Sequence, residues 1–322
     1  MTIIIPEHLL PSLAQAVTVN VKSALYEDLG SLQPEADLTS RLIPAKEQAE
    51  AVIIARHHAV LCGVLWANEV CRQLDKSLKL YWMHKDGDAI LPNQPFCLIK
   101  GSARSILTAE RSILNFLQTL SATATLTRQY ANKIACLPVA ILDTRKTIPG
   151  LRMAQKYAVA CGGGRNHRLG LYDAILMKEN HIYGHHNLRH MLKRAEMMKN
   201  HQPDILLVVE VETLEELEIA LHSGADRILL DNFTTADMVN AVAMRNSLDA
   251  STRQNVQKQK PKNSKSLEVS GNITLDNLVE IASTGIDFIS VGALTKNIQA
   301  VDMSCLFIQS AKTAKTGAMC LF

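Results

Sequence analysis

In the stretch ILDTRKTIPGLR (141–152) an apolar run stops at Asp143, and Thr144, Arg145 and Lys146 follow before a Pro-Gly turn. A guanidinium grips carboxylates and phosphates as a two-pronged fork, while a lysine ammonium acts on them as a point charge. The same abrupt change recurs down the chain. Lys178 follows DAILM, Glu210 lies near the end of ILLVVEV with Glu212 just beyond, and Asp231 ends RILLD. Ser270 and Gly271 end LEVSG, and Gly292 ends FISVG. Between the first two runs, KYAVACGGGRNHRLGLYD supplies three consecutive glycines that let backbone approach a ligand, then His167 and Arg168.

Residues 143–181 carry seven Lys and Arg side chains against Asp143, Asp173 and Glu179. Cations gathered on one pocket repel one another unless an anion joins them, so the expected ligands are small polyanions. Glu210 and Asp231 would repel such a ligand unless they hold a divalent cation or accept from hydroxyls. A diphosphorylated sugar meets both conditions, with Mg²⁺ bridging its phosphates. Ion pairing with neighbouring cations, purely structural, is the competing account of the two acids.

These side chains need elements to carry them. From residue 138, near-continuous apolar runs alternate with helical segments, the pattern of parallel strands buried on both faces. One such helix, TLEELEIALHSG, has Thr213 and Glu216 at capping-box spacing and Gly224 as its stop. No GxGxxG or GxxxxGK[ST] follows a first strand, which favours an α/β barrel over an open nucleotide-binding sheet. In a barrel the C-terminal strand ends surround the active site, so charged residues scattered in sequence converge there. Loops meeting water would explain one polar strand end. They explain six poorly.

Residues 1–106 read differently. Candidate strands at 49–56, 78–84 and 95–101 lie close together, as in an antiparallel sheet of a small α+β domain. A long helix follows, with Thr108 as its cap and Ile113, Leu117 and Leu120 on one face. The length of 322 residues suits two domains. Seven cysteines, odd in number and without a CxxC, point to reduced thiols in the cytoplasm. No apolar run is long enough to span a bilayer, and the N-terminus lacks a basic region ahead of its apolar residues, so neither a membrane nor a signal peptide is expected. Of the net charge of +3, residues 245–266 hold +5, six cations against Asp249 alone, leaving −2 for the rest. A general nucleic-acid partner is therefore disfavoured.

The stretches DTRKTIPGLR, KYAVACGGGRNHRLGLYDAILMKENHI, VVEVETLEEL, ILLDNF and LEVSGNI…FISVGALT resemble quinolinate phosphoribosyltransferase, as do YEDLGSLQPEADLTS and ERSILNFLQTLSATAT upstream. The match runs in order over most of residues 26–303. It implies an N-terminal α+β open sandwich (1–112, with the tail 297–322 packing on it) and a partly open, seven-stranded α/β barrel (113–296). The implied reaction joins quinolinate to phosphoribosyl pyrophosphate with Mg²⁺ and loss of CO₂, giving nicotinate mononucleotide for NAD biosynthesis. The resemblance also implies a homodimer with shared active sites, in which Arg111 reaches quinolinate held by the partner subunit. Arg145, His167, Arg168 and Lys178 match quinolinate-binding positions. Lys146, Lys178, Glu210 and Asp231 match those around phosphoribosyl pyrophosphate and Mg²⁺, with Glu210 preferred over Glu212. Ser270, Gly271 and Gly292 match the 5′-phosphate loops.

Two departures stand out. The basic segment 245–266 is longer than the family's usual connection, and its polar, Pro-containing composition predicts a mobile loop. After GALT the chain has Lys296 and Asn297 where the family commonly has His-Ser. Competing readings are a relative acting on another aromatic carboxylate, a barrel lyase using Lys178 as a Schiff base, and a nucleic-acid module built on 245–266. His186 and His190 have i,i+4 spacing for zinc, but no third ligand of matching type accompanies them.

Overall fold

The structure, a computed structural model, describes residues 10–178, 188–254 and 264–308. It divides into two compact units: Met1–Thr125, Met153–Gly162 and Ile298–Phe322 form one, and Leu126–Arg152 with Gly163–Asn297 the other.

In the first unit, strands β1 (Gln48–Ala55), β3 (Lys79–Trp82), β5 (Pro95–Ser102) and β12 (Met303–Phe307) form an antiparallel sheet in the order β12-β1-β5-β3. The C-terminal strand thus completes the N-terminal sheet, its Cys305 opposite Ile53. Two short strands, β2 (Ala59–Val60) and β4 (Ala89–Ile90), pair separately. Helix Ala103–Lys133 buries Ile113, Leu117 and Leu120, as its periodicity requires. It begins five residues before Thr108, however, so Thr108 is not a cap. That residue is buried, and its hydroxyl donates to Asp37 Oδ2 at 2.8 Å and to the Arg104 carbonyl. Further along the helix, the Ser121 hydroxyl accepts the Cys62 N–H at 2.9 Å and donates to the Cys62 carbonyl at 3.2 Å.

The second unit is built on six parallel strands: β6 (Ala140–Leu142), β7 (Ala174–Met177), β8 (Leu206–Val211), β9 (Arg227–Asp231), β10 (Ser266–Ser270) and β11 (Phe288–Ser290). Their order is β6-β11-β10-β9-β8-β7. Each strand from β7 to β11 neighbours the next, and the first strand of the unit pairs with the last. That is the winding of a barrel, whereas a doubly wound sheet reverses direction partway. Leu207, Val208, Val209 and Val211 of β8 are all inaccessible, which is why this strand reads as a continuous apolar run.

Among the described residues a seventh strand is not formed; beside β6 there is a single parallel bridge, Leu142 to Arg165. Arg165 donates its N–H to the Ile141 carbonyl at 2.8 Å and accepts from the Asp143 N–H at 3.1 Å. A one-residue bridge after three glycines carries no periodic signal. The chain reaches it through helix Arg152–Gly162, whose residues from Met153 onward belong to the first unit and place Tyr157 against Asp86 and Trp66.

Helix Leu214–Leu221 has the expected cap: the Thr213 hydroxyl accepts from the Glu216 N–H. Glu216 returns to the Glu212 N–H, one residue earlier than a standard capping box. The basic segment departs from expectation, since residues 245–254 are the end of helix Thr235–Gln254 and not a loop. Arg245 pairs with Asp287 at 2.6 Å, and Lys265 donates to the Ser223 carbonyl at 2.6 Å. Tertiary partners therefore hold part of a run whose composition alone suggests a linker. Residues 255–263, and with them Lys258, Lys260 and Lys262, lie outside the described residues.

Candidate active site

Because the six strands are parallel, their C-terminal ends lie at one edge of the sheet. Register then fixes which side chains meet. Met177 of β7 pairs with Val209 of β8, so Lys178 falls beside Glu210, and the two form an ion pair. Glu210 is 6% exposed, whereas Glu212 is exposed to solvent. Asp231 of β9 pairs with Ser270 of β10, whose hydroxyl donates to Asp231 Oδ1 at 2.7 Å. Asn232 Nδ2 donates to the other oxygen at 3.1 Å.

Arg168 is held below the ordinary arginine range by partial burial first and then by the charge of Arg145, with Asp173 and Glu210 acting in the opposite sense. Two guanidiniums feel each other here, with a buried carboxylate close by. Arg168 Nη1 also donates to the Ala174 carbonyl at 3.3 Å. Beyond it, Asp173 accepts the N–H groups of Leu169 and Gly170 at 2.7 and 2.9 Å and closes the turn before β7. Arg152 joins the two flanking loops, donating to Thr147 Oγ1 and to the Leu169 carbonyl.

At the β6 and β11 ends, the Thr144 hydroxyl accepts the Lys146 N–H at 3.1 Å, and Thr295 donates to the Lys146 carbonyl at 2.8 Å. The Lys146 side chain lies against Gly292. A Cβ added to that glycine would stand 3.2 Å from Lys146 Cδ and 3.9 Å from its Nζ. Lys296 is the last residue of the short helix Ala293–Lys296 and is exposed.

Beneath these groups lies a polar layer in which Asn166, Arg227, Glu268 and Ser290 were not singled out by residue type. Asp143, fully buried, accepts from Asn166 Nδ2 at 2.6 Å and from the His167 N–H at 2.9 Å. Glu268 is also fully buried; it meets Arg227 Nη1 at 3.1 Å, the Ser290 hydroxyl, and His167 Nε2 at 3.4 Å. Burial raises its pKa, but the His167 ring, Ser290 and Arg227 outweigh that and leave it below the ordinary carboxylate value. Arg227 itself lies 4.1 Å over the Phe288 ring. An acid in an apolar strand is a weak signal by itself. The pairing of Arg227 and Glu268 on adjacent strands becomes visible only with register.

Arg111 is exposed on helix Ala103–Lys133 in the first unit. Among the described residues no three His, Cys, Asp or Glu side chains could cage a metal. Glu210 and Asp231, each already partnered, suit a divalent cation held largely by oxygens of its own ligand. The histidine pair at 186 and 190 is half outside the described residues, as are His181 and His185. No helix among the described residues is long and apolar enough to cross a membrane.

Family models for the quinolinate phosphoribosyl transferase N-terminal and C-terminal domains match residues 37–121 and 123–305. The chain is 38% identical over 292 residues to the chloroplastic nicotinate-nucleotide pyrophosphorylase (carboxylating) of Arabidopsis thaliana, covering 88% of this chain and 80% of that one. It is 36% identical over 292 residues to the mitochondrial quinolinate phosphoribosyltransferase (decarboxylating) 2b of Nicotiana tabacum, with the same coverage. The solved nicotinate-nucleotide pyrophosphorylase of Francisella tularensis superposes with a TM-score of 0.81 at 42% identity, over 92% of this chain and 97% of that one. With both domains matched in order, and with this gathering of cations and acids at one edge of a parallel sheet, the chain belongs to the quinolinate phosphoribosyltransferase family.

Proposed function

We propose that this chain transfers the phosphoribosyl group of phosphoribosyl pyrophosphate to quinolinate, with decarboxylation, to give nicotinate mononucleotide, pyrophosphate and CO₂ for NAD biosynthesis. The observation that carries the reading is the gathering of Lys178, Glu210, Asp231 and Ser270 at the C-terminal ends of adjacent parallel strands, with Arg168 within the electrostatic reach of Arg145 and Glu210. Two guanidinium forks suit a dianion, and quinolinate has two adjacent carboxylates.

Arg145 and Arg168 orient the pyridine diacid, with His167 beside them and Lys178 adding charge. The ring nitrogen then attacks the anomeric carbon as the bond to pyrophosphate breaks, through an oxocarbenium-like transition state. Lys146 and Lys178 offset charge developing on the leaving group. Glu210 and Asp231 favour the cationic sugar and accept from its hydroxyls, while Ser270, Gly271 and Gly292 receive the 5′-phosphate. Mg²⁺, when bound, neutralises pyrophosphate charge, and Glu210 and Asp231 are the side chains that would hold it. Glycosylation leaves the ring a pyridinium. When the 2-carboxylate departs as CO₂, its bonding pair stays at the ring carbon under that positive charge and then takes a proton from water. Positioning and electrostatics suffice, and no covalent nucleophile is needed. The chain acts as a homodimer in which Arg111 serves the partner's site.

The test is a turnover assay with quinolinate labelled at the 2-carboxylate, phosphoribosyl pyrophosphate and Mg²⁺. Equal yields of labelled CO₂ and pyrophosphate are expected. Pyrophosphate without CO₂ would mean transfer without decarboxylation, no turnover with quinolinate would point to another aromatic carboxylate, and a borohydride-trapped adduct at Lys178 would mean a lyase.

A further inference from the structure

Glu268 has no task in the reaction just described, yet the fold buries it completely between Leu267 and Val269. An apolar residue would fill a strand interior without desolvating a charge. Its surroundings suggest why an acid is there. Oε2 takes Arg227 Nη1, and Oε1 takes the Ser290 hydroxyl and faces His167 Nε2 at 3.4 Å. The other ring nitrogen, Nδ1, accepts the Arg168 backbone N–H at 2.6 Å, so it carries no proton. The ring proton therefore sits on Nε2, toward Glu268.

The need for this arrangement follows from the fold. Where the barrel would have a seventh strand, the chain makes one bridge at Arg165, and ladder hydrogen bonds cannot fix the residues after it. Two buried carboxylates grip them instead. Asp143 holds Asn166 and the His167 N–H, and Glu268 faces the His167 ring.

We propose that Glu268 is a positioning residue for anion binding: it fixes His167 in the Nε2–H tautomer, His167 Nδ1 fixes the Arg168 backbone, and Arg168 is thereby aimed beside Arg145. His167 then acts through Arg168 and not as a direct donor to the substrate. The inference rests on the reading that Arg145 and Arg168 bind quinolinate.

Two measurements test it. In ¹⁵N-imidazole spectra of the full chain, assigned with His167→Ala, the His167 signal should show Nε2 protonated and Nδ1 bare at neutral pH. A protonated Nδ1 overturns the proposal, and this holds even if a Glu268 variant fails to fold. In calorimetry with quinolinate alone, Glu268→Gln should bind roughly tenfold more weakly than wild type. His167→Ala should match that loss, and the double variant should be no weaker than His167→Ala. Binding within about twofold of wild type, or additive losses, defeats the idea. If wild type itself binds no quinolinate, the functional reading fails, while the tautomer spectrum still decides the role of Glu268.

Discussion

At the scale of single residues, the guanidiniums of Arg145 and Arg168 are the groups assigned above to the quinolinate carboxylates. Arg168 is destabilised as a cation by partial burial and by Arg145. Arg145→Ala and Arg168→Ala should therefore raise the quinolinate KM and lower kcat, together by about 10²-fold or more. Neither variant should unfold: Arg168→Ala gives up one 3.3 Å hydrogen bond to the Ala174 carbonyl and should lower the melting temperature by only a few degrees. Near-normal kinetics in both variants would take them out of the site. Glu268 makes a separate prediction about acid stability. Its pKa is lowered in the fold, so its contribution is complete above the ordinary carboxylate value of 4.5 and is lost as pH falls through the lower folded value. Glu268→Gln should accordingly be less stable than wild type at neutral pH, with the gap narrowing below about pH 4.5; urea unfolding across pH 3–7 measures it. Of these residues, the arginines are legible in sequence because type and strand-end position agree. Glu268 and Arg227 are not, since an acid and a cation in two apolar runs meet only through strand register.

At the scale of elements, two glycines at strand ends have opposite demands. Gly292 has an ordinary φ, and its missing side chain makes room for Lys146. Lys146 is exposed and flexible, so Gly292→Ala should leave the melting temperature within a degree or two while displacing the ammonium. Its kcat/KM for phosphoribosyl pyrophosphate should fall by about 10- to 100-fold. Gly271 has φ +98°, and a Cβ there would stand 2.5 Å from Asn232 Oδ1. Gly271→Ala should cost roughly 1–3 kcal/mol and several degrees of melting temperature as well as activity. If Gly292→Ala is the less stable of the two, the assignment of Gly292 as a cradle is wrong. All six parallel strands were readable as apolar runs, each within a residue or two of its observed span, because burial on both faces imposes that composition. The isolated bridge at Arg165 was not readable, because a single bridged residue imposes no pattern. Thr108 misled for a related reason: a threonine can cap a helix or, as here, back-bond inside one. In the basic segment, composition suggested a loop, but the Arg245–Asp287 pair and the end of a 20-residue helix hold residues 245–254.

At the scale of the whole molecule, strands far apart in sequence share one sheet. β12, near the end of the described residues, completes the antiparallel sheet that β1 begins, so the parallel-stranded unit is inserted within the first unit's sequence. Arg111 belongs to that first unit and is exposed, a condition that contact with a second copy of the chain requires. If each site takes its barrel from one subunit and Arg111 from the other, two inactive variants can repair each other. Arg111→Ala keeps a sound barrel but fails its partner, and Lys178→Ala has a dead barrel but supplies Arg111. Each mixed dimer then has one intact site and one doubly damaged site. Random exchange makes about half the dimers mixed, so about a quarter of all sites should recover wild-type turnover. The assay is to mix the purified variants after reversible dissociation and to follow pyrophosphate release with time. A mixture no more active than the average of its components, with exchange verified by mass-tagged subunits, would mean that each chain supplies its own Arg111 or none. Recovery well above a quarter would mean that one of the two lesions is incomplete, which the single-variant rates measured alongside would reveal.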